Sequence, residues 1–128
     1  MNKGRLYTSY TANWRNWKDL DVVKICIMRF PNFDLERYQA LHFKGLAPSI
    51  ELMNDYKAGK INEQVFETIY IEQLLTDKES IEDAYKVKRL LNEGIDVLLI
   101  CCEGKHKFCH RNILRKIYES IGFECKEL

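Results

Sequence analysis

The chain has no long hydrophobic run. Its longest, Val97 to Cys102, is far too short to cross a bilayer. The N-terminus carries no apolar stretch of the signal-peptide kind. The expectation is therefore a cytoplasmic protein with no membrane partner. Excess charge is missing too. A net charge of +1 gives no global basic field to gather nucleic acid, so any polyanion must be held by a local patch. That argues against extended duplex binding and leaves a single-stranded nucleic-acid end as a partner. No internal repeat, low-complexity tract or Pro/Gly/Ser linker breaks the chain, which predicts one domain over residues 1–128. CxxC pairs are absent as well, which removes a thioredoxin-like reading and the usual zinc knuckle. The five cysteines are odd in number and, with no secretion signal, are expected as reduced thiols.

What is present suits a folded, soluble domain: 46% hydrophobic and 30% charged residues. Arg5 to Tyr10 reads as a short strand, and Thr11 to Lys18, with two tryptophans, as a loop or helical turn. Val22 to Met28 is β-branched and apolar on both faces, as a buried central strand should be, and Pro31 ends it. Residues 32–47 show no clear period. Pro48 and Glu51 suit the first turn of a helix running to about Lys57, with Gly59 as its stop. Asn62 caps a longer helix whose Val65, Phe66, Ile69, Tyr70 and Leu74 share a face. Asp77 caps the next, with Ile81, Ala84, Tyr85, Lys88 and Leu91 continuing the pattern up to Gly94. Asp96 to Cys101 has the continuous apolar character of a parallel strand covered on both sides. A loop over 102–108 leads into a helix from His110 to Ser120, with Ile113, Leu114, Ile117 and Ile121 inward and Gly122 ending it. Phe123 to Lys126 reads as a last strand. Strands interleaved with helices predict a three-layer α/β domain with a small, mostly parallel sheet flanked by helices.

The chemistry-bearing residues crowd into 101–111. Ligands of open α/β sheets bind beyond the carboxyl ends of the strands, where this loop lies. The helix that follows has unpaired first-turn N–H groups, and these with its dipole favour an anion. Arg111 stands in that first turn, where a cation is unfavourable. Clamping a phosphate or carboxylate explains it. Lys105, His106 and Lys107 add positive charge. Cys109, beside His110 and Arg111 at the helix start, is expected to favour its thiolate. Glu103, the loop's carboxylate, suits a general base or a group that orients His110 or Arg111. The catalytic candidates are thus Glu103, Cys109 and His110.

Three competing readings stay open. Cys26, Cys101 and Cys125 can be plain core, and a Glu–Arg pair can be a structural ion pair. Cys101, Cys102, His106, Cys109 and His110 supply enough ligands for zinc but not the usual spacing, so no metal or other cofactor is expected. A Cys102–Cys109 redox pair is the third. A phosphatase loop does not fit: Arg111 stands too far from Cys101 and Cys102, and Gly104 is the loop's only glycine.

These residues resemble the bacterial and phage family named domain of unknown function 488. The likeness rests on an apolar strand ending in Cys101-x-Glu103, then Cys109-His110-Arg111 opening a helix. It extends to Thr8, Ser9, Tyr10, Ala12 and Asn13, to Arg29 and Pro31, and to Ala47, Pro48, Tyr56 and Lys57. The resemblance implies a Rossmann-like α/β fold and a site at 101–111, and it leaves the chemistry open. Cys102 falls at the variable position of Cys-x-Glu.

If the three main strands are parallel neighbours, Arg29, Ser9, Tyr10 and Asn13 line the same crevice as Glu103 and Arg111 and are ligand-binding candidates. Trp14 and Trp17 read as packing residues. Cys101, Lys105, Tyr56 and Lys57 form an outer set. The leading expectation is a pocket for an anionic small molecule or nucleotide, with hydrolysis of a nucleotide-type substrate and binding without turnover equally consistent with it. The alternatives are a non-catalytic adaptor or nucleotide-sequestering protein, and a thiol-redox or zinc site.

Overall fold

A computed structural model describes residues 2–104 and 107–128. Lys105 and His106 lie outside the described residues. Five strands form one parallel sheet: β1 (Leu6–Tyr10), β2 (Val23–Cys26), β3 (Ala40–His42), β4 (Val97–Cys101) and β5 (Cys125–Glu127). Their order is β3-β2-β4-β1-β5. The helices are α1 (Trp14–Trp17), α2 (Ile50–Lys57), α3 (Glu63–Thr76), α4 (Lys78–Asn92) and α5 (His110–Ser120). This is the expected three-layer, Rossmann-like α/β architecture.

β4 runs through the centre and every residue of it is buried. Its alternate side chains explain the layers, because neighbours along a strand point to opposite faces. Val97, Leu99 and Cys101 enter the larger core, with Phe66, Tyr70, Val87, Ile113 and Leu114 from α3, α4 and α5. Leu98 and Ile100 face Trp17, over which Trp14, Phe33 and Tyr38 pack. The tryptophans are therefore packing residues. β1 and β2 flank β4 in register, with Tyr10 beside Cys101 and Cys26 beside Ile100, so three carboxyl ends open on one rim.

Caps fall where the sequence placed them. Asn62 accepts from the Val65 N–H and Asp77 from the Ser80 N–H. Gly59, Gly94 and Gly122 take positive φ beyond their helices. The helix ahead of Gly59 starts later than expected: Pro48 precedes it instead of lying in its first turn, and Ser49 makes the cap, its hydroxyl accepting from the Leu52 N–H.

Three expectations need correction. The unpatterned stretch 32–47 contains β3 and a 3₁₀ turn at Lys44–Leu46. β3 is an edge strand, partly exposed, so it has no apolar run to announce it. Second, the inward face of α4 is Ser80, Asp83, Val87 and Leu91, while Ile81 and Tyr85 face outward. Polar anchoring decides this. The Asp83 carboxylate accepts from the Gly45 N–H at 2.8 Å, and Ser80 accepts from Gln73. Gly45 itself must be small: a Cβ there would lie 2.4 Å from the Glu79 carbonyl oxygen. Third, Val65, Ile69 and Ile121 are exposed, and only Phe66, Tyr70 and Leu74 are buried on α3. Tyr70 also donates to the Leu46 carbonyl, and Gln73 donates to Ala47 and accepts from the Ser49 N–H. α3 and α4 thus hold the 45–49 segment and fix where α2 begins.

Candidate functional site

A cavity of about 380 Å³ opens at the carboxyl ends of β2 and β4, walled by α2 and by the start of α5. Its floor is apolar: Met28, Met53, Phe66 and Phe108, with Tyr56 and Phe30 at the sides. The aromatic rings interlock, Tyr56 and Phe108 at 5.2 Å and Phe66 and Phe108 at 5.2 Å between centroids. Arg29, Asn32, Lys57, Cys102, Glu103, Cys109 and His110 are the polar lining. None of the floor residues was singled out from sequence as a site residue: Phe66 was read only as part of an apolar helix face, and the outer candidate Tyr56 stands at the side. Phe66 and Phe108 carry no signal beyond hydrophobicity, which core residues share.

Arg29 is half-buried and held by the 45–49 segment. Its Nε donates to the Pro48 carbonyl at 3.1 Å and one terminal nitrogen to Ala47 at 3.4 Å. Its remaining donors have no partner among the described residues, and neither it nor Lys57 has a carboxylate partner there. A guanidinium oriented by neutral carbonyls keeps its full charge for something else.

Arg111 is in the opposite situation. It is 1% exposed, and all five N–H donors of a guanidinium are engaged. Nε and one terminal nitrogen grip the Glu127 carboxylate at 2.9–3.2 Å. The terminal nitrogens also donate to the Glu103 and Gly104 carbonyls and to the Cys101 sulfur, at 2.7, 3.2 and 3.1 Å. The guanidinium stacks over Tyr10 at 5.5 Å. Glu127 further accepts from the Thr8 hydroxyl. The sequence suggested an anion clamp, and the anion it grips is Glu127, from the last strand. Nothing in the sequence pairs a residue so near the C-terminal end with α5. Gripping an external anion as well would require Arg111 to give up one of these bonds.

His110 is buried. Its Nε2 lies 2.8 Å from the Ile27 carbonyl, which can only accept, so that nitrogen carries the proton. Nδ1 is left as a lone pair, 3.6 Å from the Cys109 sulfur. Burial, reinforced by the Arg111 charge and opposed by the Ile27 bond, lowers its pKa to about 4, so the ring is neutral.

Cys109 precedes α5 with no side-chain cap on the helix, so the first-turn amides remain unpaired by any side chain. Its sulfur lies against that of Cys101, but the Cα atoms are 7.6 Å apart, wider than the range of about 4.4–6.8 Å that a disulfide spans. Cys109 therefore does not stand alone at the helix start, where a free thiolate was expected: a second buried cysteine faces it. That cysteine is Cys101, not Cys102. The reason is the alternation of β4, which turns Cys101 under α5 and leaves Cys102 exposed in the cavity wall. Although the residue is exposed as a whole, partial desolvation at the cavity wall and then the Glu103 carboxylate push the Cys102 thiol up, which disfavours its thiolate. Glu103 is half-buried in the cavity wall, its backbone carbonyl held by Arg111.

Ser9, Tyr10 and Asn13 stand at the end of β1, across β4 from the cavity, and do not line it. Ser9 is fully buried and accepts from Asn13. Thr11 links the two sides, donating to Asn32 at 2.7 Å. Lys105 lies outside the described residues.

The family model DUF488-N3a, described as the active DUF488-N3 subclade, matches residues 9–122. The search of curated proteins gave no match. Among the described residues, no helix is long and apolar enough to cross a membrane.

Proposed function

The chain belongs to the DUF488 family, and from that premise we propose that the cavity between β2, β4 and α2 binds a small nucleotide-type ligand through its anionic group. The observation that carries the reading is Arg29. It is a cation fixed in a cavity wall, with unfilled donors and no carboxylate partner among the described residues. Lys57 lines the same cavity. The uncapped start of α5 adds amide donors and the positive end of a helix dipole. The methionine and aromatic floor suits the flat, weakly polar face of a base. The volume lies within the range of about 300–1,000 Å³ usual for small-molecule sites.

Glu103 is the general base we assign to a hydrolytic step, because it is the carboxylate residue among those lining the same cavity as Arg29. Arg111 serves by positioning, since it holds the Glu103 and Gly104 carbonyls.

Calorimetric titration with nucleoside mono- and diphosphates, short single-stranded oligonucleotides and inorganic phosphate tests the binding. Saturable binding that Arg29→Gln weakens supports it. Absence of heat or thermal shift with all of these removes it. Turnover in the wild type that Glu103→Gln abolishes, with binding kept, supports the hydrolytic step. Binding without wild-type turnover points instead to sequestration.

A further inference from the structure

We propose that Cys101, Cys109 and His110, once the cysteines are reduced, form a binding site for a thiophilic divalent ion of the zinc type. The Cys101 and Cys109 sulfurs and a His110 ring nitrogen all lie within 4.8 Å of one another. All three residues are buried. Cys2His with one open position is a known zinc donor set. The sequence argued against zinc because the spacing is unlike a knuckle. Here a strand end and a helix start, not a knuckle, converge the ligands.

Three features beyond proximity favour an ion. The backbone separation of the cysteines is 7.6 Å between Cα atoms. That lies outside the range of about 4.4–6.8 Å that a disulfide usually spans. Two thiolates sharing a tetrahedral ion, with Zn–S near 2.3 Å, hold their sulfurs roughly 3.8 Å apart, which a wider backbone suits. Next, His110 is already oriented as metal-bound histidines are. Its Nε2–H donates to the Ile27 carbonyl, which fixes the ring and leaves Nδ1 facing the sulfurs. Last, the charges balance. Arg111 is neutralised by Glu127, so two thiolates meet the charge of one divalent ion. The Arg111 N–H at 3.1 Å from the Cys101 sulfur is then a hydrogen bond to a ligating thiolate.

Loading follows simple stoichiometry. Where the two sulfurs have been oxidised to a disulfide, a dithiol reductant breaks the S–S bond, supplying two electrons and two protons, and is itself oxidised to a disulfide. The two thiols then release their protons to solvent as the ion binds. Cys109 and His110 line the cavity, so the open coordination position faces it and can take water or a ligand oxygen. The ion site needs no nucleotide for its assembly.

The test is cobalt titration of the dithiol-treated, full-length protein under inert gas. The expected result is one cobalt per chain, with near-ultraviolet thiolate-to-cobalt bands and visible bands of tetrahedral intensity. Cys102→Ser and Cys125→Ser should keep the spectrum, and Cys101→Ser and Cys109→Ser should lose the thiolate bands. Because those last variants can misfold, the wild type carries a second measurement. Zinc should slow alkylation of Cys101 and Cys109 but not of Cys102, and a chelator should restore it. A reduced protein without thiolate bands overturns the proposal. So does a Cys101–Cys109 disulfide that resists reduction in the folded protein, or zinc protection of Cys102 instead. Cobalt bands without nucleotide binding would leave the ion site standing and remove only the ligand reading above.

Discussion

Arg29 and Arg111 both belong to the carboxyl-end region of the sheet, and the sequence made them alike: Arg29 ends an apolar strand, Arg111 opens the helix after another, and each suits an anion clamp. Their surroundings make them different. Arg111 is buried with every donor engaged, and its carboxylate partner comes from the neighbouring β5. Arg29 is held by two carbonyls and faces a cavity. The difference teaches that a cation near a strand end is only half a site. What decides its use is whether the fold supplies it with a carboxylate. Where the fold does, the arginine ties elements together. Where it does not, the charge is available to a ligand.

Breaking the Arg111 side should have the largest effect. Arg111→Met removes the grip on Glu127, on the 103–104 carbonyls and on Cys101 together. Truncating one partner of a buried charge pair costs up to about 3–5 kcal/mol. Glu127 keeps some solvent access, so about 2–4 kcal/mol is expected, read as a lower urea midpoint at unchanged slope. Arg111→Lys should rescue little of it, because a lysine cannot reproduce the planar fork. Should Arg111→Lys fold with wild-type stability yet lose nucleotide affinity, the two arginines would be alike after all.

Gly45→Ala probes the scaffold behind Arg29. The added methyl meets the Glu79 carbonyl and the Asp83 carboxylate, and it disturbs the segment whose Ala47 and Pro48 carbonyls orient the guanidinium. The expected cost is about 1–3 kcal/mol from overpacking. Affinity should fall in parallel with stability.

Arg29→Gln should leave stability within about 1 kcal/mol, because only two hydrogen bonds to carbonyls are lost. Its effect belongs to affinity. Loss of one charge-assisted contact corresponds to roughly a 10- to 100-fold higher Kd. Lys57→Gln, at an exposed helix end, should raise Kd by only about 2- to 5-fold, and more so at low salt. A stability loss at Arg29 as large as at Arg111 would sink the contrast.

The sequence made the frame legible and left the partners hidden. The continuous apolar run of β4, the caps at Asn62 and Asp77 and the glycine stops each act locally, so they can be read residue by residue. The α4 face could not be read that way. Its orientation is set by Asp83 reaching Gly45, many residues away, against the pull of Ile81 and Tyr85. The site divides along the same line. Glu103, Cys109 and His110 were picked out as candidates because they cluster in sequence, and all three line the cavity. Glu127 was missed because it meets Arg111 only through the parallel pairing of β1 with β5. The cavity floor was missed because Met53, Phe66 and Phe108 come from separate elements and look like any core.

The smallest expected effect contrasts a thiol on each side. Cys125, on β5, the strand that also carries Glu127, has its pKa raised from 9.0 to about 11, mainly by burial and next by Glu119. Folding therefore favours the neutral thiol. The linked stabilisation is fully present below pH 9, where both folded and unfolded chains are protonated. It fades as pH rises from 9 towards 11, since only the unfolded chain then gains by losing the proton. Cys125 alkylation should accordingly keep accelerating up to about pH 11 instead of levelling near 9, as mass spectrometry of the labelled peptide would show. Cys102 is also raised, but it lines the cavity. A nucleotide that binds there should slow labelling of Cys102 and leave Cys125 untouched. Equal protection of both thiols would mean that the ligand acts on the whole fold and not on the Arg29 side alone.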